Sequence, residues 1–266
     1  MPVRTLARRL MSRLWFGLPR RAWQGGVFVA AVAGVSPLAA EITAAEFSNP
    51  TSRYPHGVLG DEIEYGSLLI HWSNTAQNQL SQDAVERHGT VVVRLPQSRV
   101  FEDLAPRLID LDGDGQREIM VVESDASLGA QLAIYDQRGA KIAATPPIGT
   151  RFRWLAPIAA ADLDNDGQVE LAYVDRPHLA KTLRIWRFEA GALTQVAAMS
   201  GLTNHRIGDD FITSGLRNCA EAPELVLVDA SWQRLVAVRL AKGEIHRRDI
   251  GPFTGQSSLQ SALDCL

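Results

Sequence analysis

Along residues 170–213 the apolar positions fall in short runs: Glu170-Leu-Ala-Tyr-Val, Thr182-Leu-Arg-Ile-Trp-Arg-Phe188, Leu193-Thr-Gln-Val-Ala-Ala-Met199 and His205-Arg-Ile-Gly-Asp-Asp-Phe-Ile-Thr213. Gly191, Gly201 and Gly215 punctuate them. Short runs rich in β-branched and aromatic residues, broken by turn residues at roughly ten-residue spacing, predict β-strands. Four such runs make one sheet-sized unit, and the unit repeats. Leu104-Ala105-Pro106 leads to Asp110-Leu-Asp-Gly-Asp-Gly-Gln-Arg-Glu118, and Leu155-Ala156-Pro157 leads to Asp162-Leu-Asp-Asn-Asp-Gly-Gln-Val-Glu170, 52 residues later. Eight of thirteen positions agree between 110–122 and 162–174, too many for chance. One more step forward reaches Ser214–Asn218 ahead of Leu225-Val226-Leu227-Val228, and one step back reaches Val58–Asp61 ahead of Leu68-Leu69-Ile70. The chain is therefore expected to be all-β: a small β-propeller of about four four-stranded blades of about 52 residues. The polar stretch Thr75–His88 breaks the pattern and reads as an excursion between two strands of the first unit.

The N-terminus follows a different pattern. Residues 1–40 hold six arginines and no acid, with an apolar run Val27–Val35 followed by Ser36-Pro37-Leu38-Ala39-Ala40. This is the order of a secretory signal peptide, with cleavage expected after Ala40. The run is about half the roughly 20 residues of a spanning helix, so no permanent membrane span is expected. Arg8-Arg9 and Arg20-Arg21 leave Sec and Tat export both open. Residues 41–266 then form a single repeat domain, periplasmic or secreted.

Charge narrows the function. The 266-residue chain carries a net charge of −3, which becomes −9 without the arginines of the leader. So acidic a body excludes phosphate-backbone binding, and with it nucleic acid, as the main activity.

Two turns carry the densest chemistry. Carboxylates stand at positions 1, 3, 5 and 9 of each: Asp110, Asp112, Asp114 and Glu118, then Asp162, Asp164, Asp166 and Glu170. Gly115 and Gly167 at position 6 allow the positive φ of a tight curl, and the backbone carbonyls of Gln116 and Gln168 complete an oxygen shell. Carboxylates about 5 Å apart repel by roughly 3 kcal/mol per pair at an effective dielectric near 20, so a cation is required. A flexible loop of hard oxygens without Cys or His suits Ca²⁺, giving two calcium sites. Strands follow at once where an EF-hand would continue as a helix. The segment from Asp110 and its partner from Asp162 resemble the calcium loops of FG-GAP/VCBS repeats, the blades of integrin-α-type propellers. The resemblance covers roughly residues 99–200. It implies a scaffold shared by adhesion proteins, secreted bacterial binding proteins and parts of carbohydrate-active enzymes, and no particular reaction.

Cys219 lies in the loop that lost its acids and Cys265 next to the C-terminus. In an exported chain they are expected to pair, stapling the terminus to the last unit in place of a metal. Charged residues also recur ahead of each loop position: Arg53 and His56, Arg99, Arg153, then His205, Arg206, Asp209 and Asp210, then His246 and Arg247. Equivalent positions of a propeller converge, so these could ring a channel mouth and bind an anionic ligand; structural ion pairs are the other reading. His71, His88 and His178 are isolated and read as satisfied polar residues. The expected function is an exported, calcium-stabilised, non-catalytic binding module for a protein or acidic glycan. The alternative is a glycan-acting hydrolase or lyase using His205, Arg206, Asp209 and Asp210 at the channel mouth.

Overall fold

The computed structural model describes residues 40–77, 84–189 and 191–266, within a compact unit spanning 37–266. Residues 1–39 of the expected leader lie outside the described residues. The described residues open with three long antiparallel strands, β1 (Glu41–Thr51), β2 (Glu64–Gln77) and β3 (Ala84–Arg94), with β2 in the middle.

Three repeats follow. The first joins β4 (Arg99–Phe101) and β5 (Arg107–Ile109), both paired to β6 (Glu118–Asp125), and continues through β7 (Gly129–Tyr135) to β8 (Lys141–Ala144). The second is β9 (Leu155–Ala161), β10 (Glu170–Asp175), β11 (Thr182–Glu189) and β12 (Ala192–Ser200), paired in sequence order. The third repeats the split first strand: β13 (Leu202–Thr203) and β14 (Gly215–Arg217) both pair β15 (Glu224–Asp229), which leads to β16 (Arg234–Ala241) and β17 (Glu244–Pro252). Equivalence is set by register. Ile109 faces Glu118, Ala161 faces Glu170 and Arg217 faces Glu224, each pair closing the loop between the first and second strands.

Packing explains why the inner strands read as continuous apolar runs. Successive side chains of a strand point to opposite faces. On β6, Ile119 and Val121 pack with Ile42, Leu68 and Ile70 of the N-terminal sheet, while Met120 and Val122 pack with Leu155, Leu171 and Tyr173 of the second repeat. The other face of β10, through Ala172 and Val174, meets Leu225, Leu227, Val236 and Val238 of the third. The last face, Val226, Val228 and Leu235, is covered by a terminal helix, α1 (Gln256–Leu263), through Leu259 and Ala262. Gly215 permits this closeness, since a Cβ there would stand 2.8 Å from Leu263 Cδ2.

The all-β expectation holds and the 52-residue step relates the first two repeats, but two details of the N-terminal part differ. The segment expected as the first four-stranded unit is a three-stranded sheet linked to the first repeat by the pair Tyr65–Phe101. Backbone pairing between β2 and β3 runs out to Gln77–Ala84, so residues 75–77 and 84–88 of the expected excursion belong to strands, and residues 78–83 lie outside the described residues. Strand pairing uses main-chain groups, which a polar sequence supplies as well as an apolar one. The helix was not expected: the C-terminal residues lie beyond the last period.

Residues 52–63, between β1 and β2, run across the starts of all three repeats. Arg53 donates to the Arg99 carbonyl at 3.1 Å, Phe152 N–H to Tyr54 Oη at 2.7 Å, and Gly208 N–H to the Val58 carbonyl at 3.0 Å.

Candidate metal loops and a histidine cavity

The two acidic loops fold alike. Glu118 and Glu170 open β6 and β10, and each accepts at Oε2, 2.9 Å away, the N–H of Leu111 or Leu163 at loop position 2. Gly115 and Gly167, at φ 83° and 88°, donate to Asp110 Oδ2 and Asp162 Oδ2. Gln116 and Gln168 donate their N–H groups to Asp114 Oδ1 and Asp166 Oδ1 at 2.7 and 3.0 Å. These bonds curl each loop so that one oxygen from each of Asp110, Asp112 and Asp114 lies within 4.8 Å of the others, and likewise for Asp162, Asp164 and Asp166. Burial, and then the charges of Asp112, Asp114 and Asp110, push the Glu118 carboxyl up, against the bond from Leu111.

The loops differ in the cation they already hold. Arg187 on β11 stands opposite Glu170 and bonds its Oε1 at 2.6 Å; its guanidinium also meets Asp164 Oδ2 at 3.1 Å and Asp166 Oδ2 at 2.8 Å. Asp164 Oδ1 remains buried without a partner. The register of β6 and β7 puts Asp136 at the corresponding place in the first repeat, where it holds Arg138 and Ala140. No basic side chain enters the first loop among the described residues. In the third repeat the loop has no aspartates, and Arg217 and Arg248 both bind Glu224, at 2.7 and 2.8 Å. Cys219 of that loop is joined to Cys265, with Cα atoms 5.6 Å apart. A polar acid loop thus becomes a covalent and ionic one, as its missing carboxylates suggested.

A second cluster forms where residues 52–63 cross the repeats. Glu102, fully buried after β4, accepts His56 Nδ1 at 2.5 Å and the Ser124 hydroxyl. Trp154, one period after Glu102, donates its ring N–H to the Glu102 carbonyl at 2.8 Å. Its ring lies parallel to His178 and edge-on to His205. His205 Nε2 is 3.0 Å from the Asp209 carbonyl, which can only accept, so that nitrogen carries the proton. His205 Nδ1 must then accept from His178 Nε2, 2.9 Å away, which leaves His178 Nδ1 as an open acceptor. Burial, and then the neighbouring His205 and His56, pull the His178 imidazole down to about 4; burial lowers His205 as well. Phe152 stacks on His56 at 5.0 Å. Between these rings is a cavity of about 40 Å³, completed by Arg153, Arg176 and Leu179.

The candidate ring residues are only partly gathered. His56 and Arg153 share this cavity, and His205 supports it from behind through His178. Arg53 is spent on the Arg99 carbonyl, and Arg99 pairs with Asp125 and Glu123 inside its own repeat. Arg206 lies 4.2 Å above the Trp232 ring, and Asp209 contributes its carbonyl to His205 while Asp210 is exposed. His246 and Arg247 belong to the outermost strand β17 and line a different pocket with Arg239 and Arg248. Distance from the repeat start explains the division, because only first-strand ends meet residues 52–63. Glu102, His178, Arg176 and Arg187 were not anticipated. The one sequence signal was the 52-residue step from Glu102 to Trp154.

Residues 110–173, which span both acidic loops, match the family model of the FG-GAP-like repeat. No curated protein matches the chain.

Proposed function

We propose that this FG-GAP-type repeat protein is an exported, non-catalytic interaction module of propeller type, stabilised by two calcium ions. The supporting observation is the pair of alike loops, each converging three Asp oxygens within 4.8 Å. The buried, partnerless Asp164 Oδ1 fits a cation, because an unpaired buried carboxylate oxygen is costly. Asp110, Asp112, Asp114, the Gln116 carbonyl and Glu118 would hold one ion. Asp162, Asp164, Asp166, the Gln168 carbonyl and Glu170 would hold the other. Calcium supplies charge neutralisation there, and the repeats keep their first and second strands in register.

Three same-order meanders support the propeller-type reading, and the disulfide supports an oxidising compartment. A protein partner is favoured over nucleic acid by the acidic body. The binding reading is favoured over the glycan-cleaving one by His205, which is 1% exposed and bonded to a carbonyl and another imidazole. Such a ring has no free nitrogen to present to a substrate. Calorimetric titration with Ca²⁺ tests the assignment: two sites with millimolar or tighter affinity are expected, and no heat and no metal in elemental analysis would overturn it.

A further inference from the structure

The cavity between His56, Trp154 and His178 has an excess of positive charge. Asp175 is matched by Arg176 and Arg184, and Glu102 accepts a hydrogen bond from His56 Nδ1. Arg153 has no ion-pair partner among the described residues. Arg176 uses Nε and Nη2 on Asp175, leaving Nη1 uncommitted. A metal ion beside two guanidinium groups is disfavoured, whereas an oxyanion is matched by their planar donors. Shape restricts the oxyanion. A planar carboxylate meets a guanidinium edge with two parallel hydrogen bonds and leaves its carbon body free to lie on apolar surface, which inorganic phosphate does not offer.

Two further observations point to a ligand here. Phe152 and Arg176 both line the cavity with left-handed backbones, φ 62° and 47°, a conformation costly for such residues and concentrated at binding sites. Phe152 and Leu179 at its rim are 37% and 59% exposed, leaving apolar surface beside a charged hole. We infer that this cavity receives one carboxylate group of a ligand, held by Arg153 and Arg176, whose carbon body rests on Phe152 and Leu179. The inference rests on the reading of the chain as a binding module and gives that module a ligand chemistry.

The test uses the folded chain with 1 mM Ca²⁺, a concentration of about ten times a 0.1 mM dissociation constant, and again with chelator. Acetate, phenylacetate, inorganic phosphate and chloride are titrated at matched ionic strength while the His56 and His178 ring resonances are followed. Acetate should shift both saturably, and phenylacetate should bind roughly fivefold tighter through its buried ring. Phosphate and chloride, which have no carbon body to rest on Phe152 and Leu179, should bind more weakly than phenylacetate. Arg153→Ala should weaken acetate about tenfold, the loss of one charged hydrogen-bond partner, with unchanged melting. Leu179→Ser should cancel the advantage of phenylacetate. Unsaturable shifts, phosphate binding as tight as phenylacetate, or wild-type affinity in Arg153→Ala would overturn the inference. Failure of calcium binding with intact acetate binding would overturn the calcium reading alone, and the converse would overturn the cavity alone.

Discussion

Arg187 Nε donates to Glu170 Oε1 at 2.6 Å, and the same guanidinium spans Asp164 and Asp166 of the second acidic loop. The protein's own cation thus occupies part of the space that a metal would neutralise. Replacing it by methionine leaves four carboxylates facing one another. Arg187→Met should lower stability by about 2–4 kcal/mol without calcium, the usual cost of breaking a half-buried ion network, and Ca²⁺ should restore most of it. Calorimetric unfolding with and without Ca²⁺ reads the difference. An unchanged calcium response in the variant would mean that Arg187 and the metal do not share these oxygens.

The first loop has no such internal cation, so its calcium dependence should be the larger. A site with a dissociation constant near 0.1 mM gives about 1.4 kcal/mol at 1 mM free ion. Asp112 is the residue to change, because Asp110 accepts both Gly113 and Gly115 N–H groups and holds the loop's shape. Asp112→Ala should abolish most of the calcium-induced rise in melting temperature while raising stability in chelator. Asp164→Ala in the second loop should remove less.

The third repeat replaces metal by covalent closure. Arg217 Nη1 also donates to the Ala262 carbonyl at 2.8 Å, so the disulfide and this bond together pin α1 over Val226, Val228 and Leu235. Cys219→Ser with Cys265→Ser should cost about 2–4 kcal/mol, as closing a loop of 46 residues predicts. Amide exchange over residues 256–263 should accelerate more than over β6. Equal exchange in both proteins would show that packing alone seats the helix.

How much of this was legible in the sequence depended on whether the signal was local. The acid loops were, since alternate carboxylates and a position-6 glycine encode their own curl, and so was the period that aligns Glu118 with Glu170. Cys219 and Cys265 were readable as a pair once the chain was taken as exported. The cationic groups that complete these sites were not. Arg187 reaches its loop across a strand pairing, and Arg217 stands where the other repeats have Ile109 and Ala161, ahead of a shorter loop that shifts the register against the 52-residue count. The N-terminal sheet was misread because β2 and β3 carry polar residues that main-chain pairing tolerates. The cavity at His56 needed the path of residues 52–63, which no period specifies.

A buried acid cluster sets the last expectation. Glu64 opens β2 at 2% exposure, and its carboxyl is pushed up to about 9 by burial, then by Glu102, Asp61 and Asp103. The folded chain therefore keeps a proton there that the unfolded chain releases near the ordinary value of 4.5. Its contribution is fully present below about 4.5 and is lost progressively as pH rises towards about 9. Burial raises Glu102 and Asp103 too, against His56 and Arg107, so they act in the same sense. Glu64→Gln keeps the shape and removes the titration. Urea unfolding at pH 5, 7 and 9 should show the wild type weakening with pH and the variant weakening less, by at least about 1 kcal/mol across the range. Parallel slopes would place the Glu64 proton elsewhere.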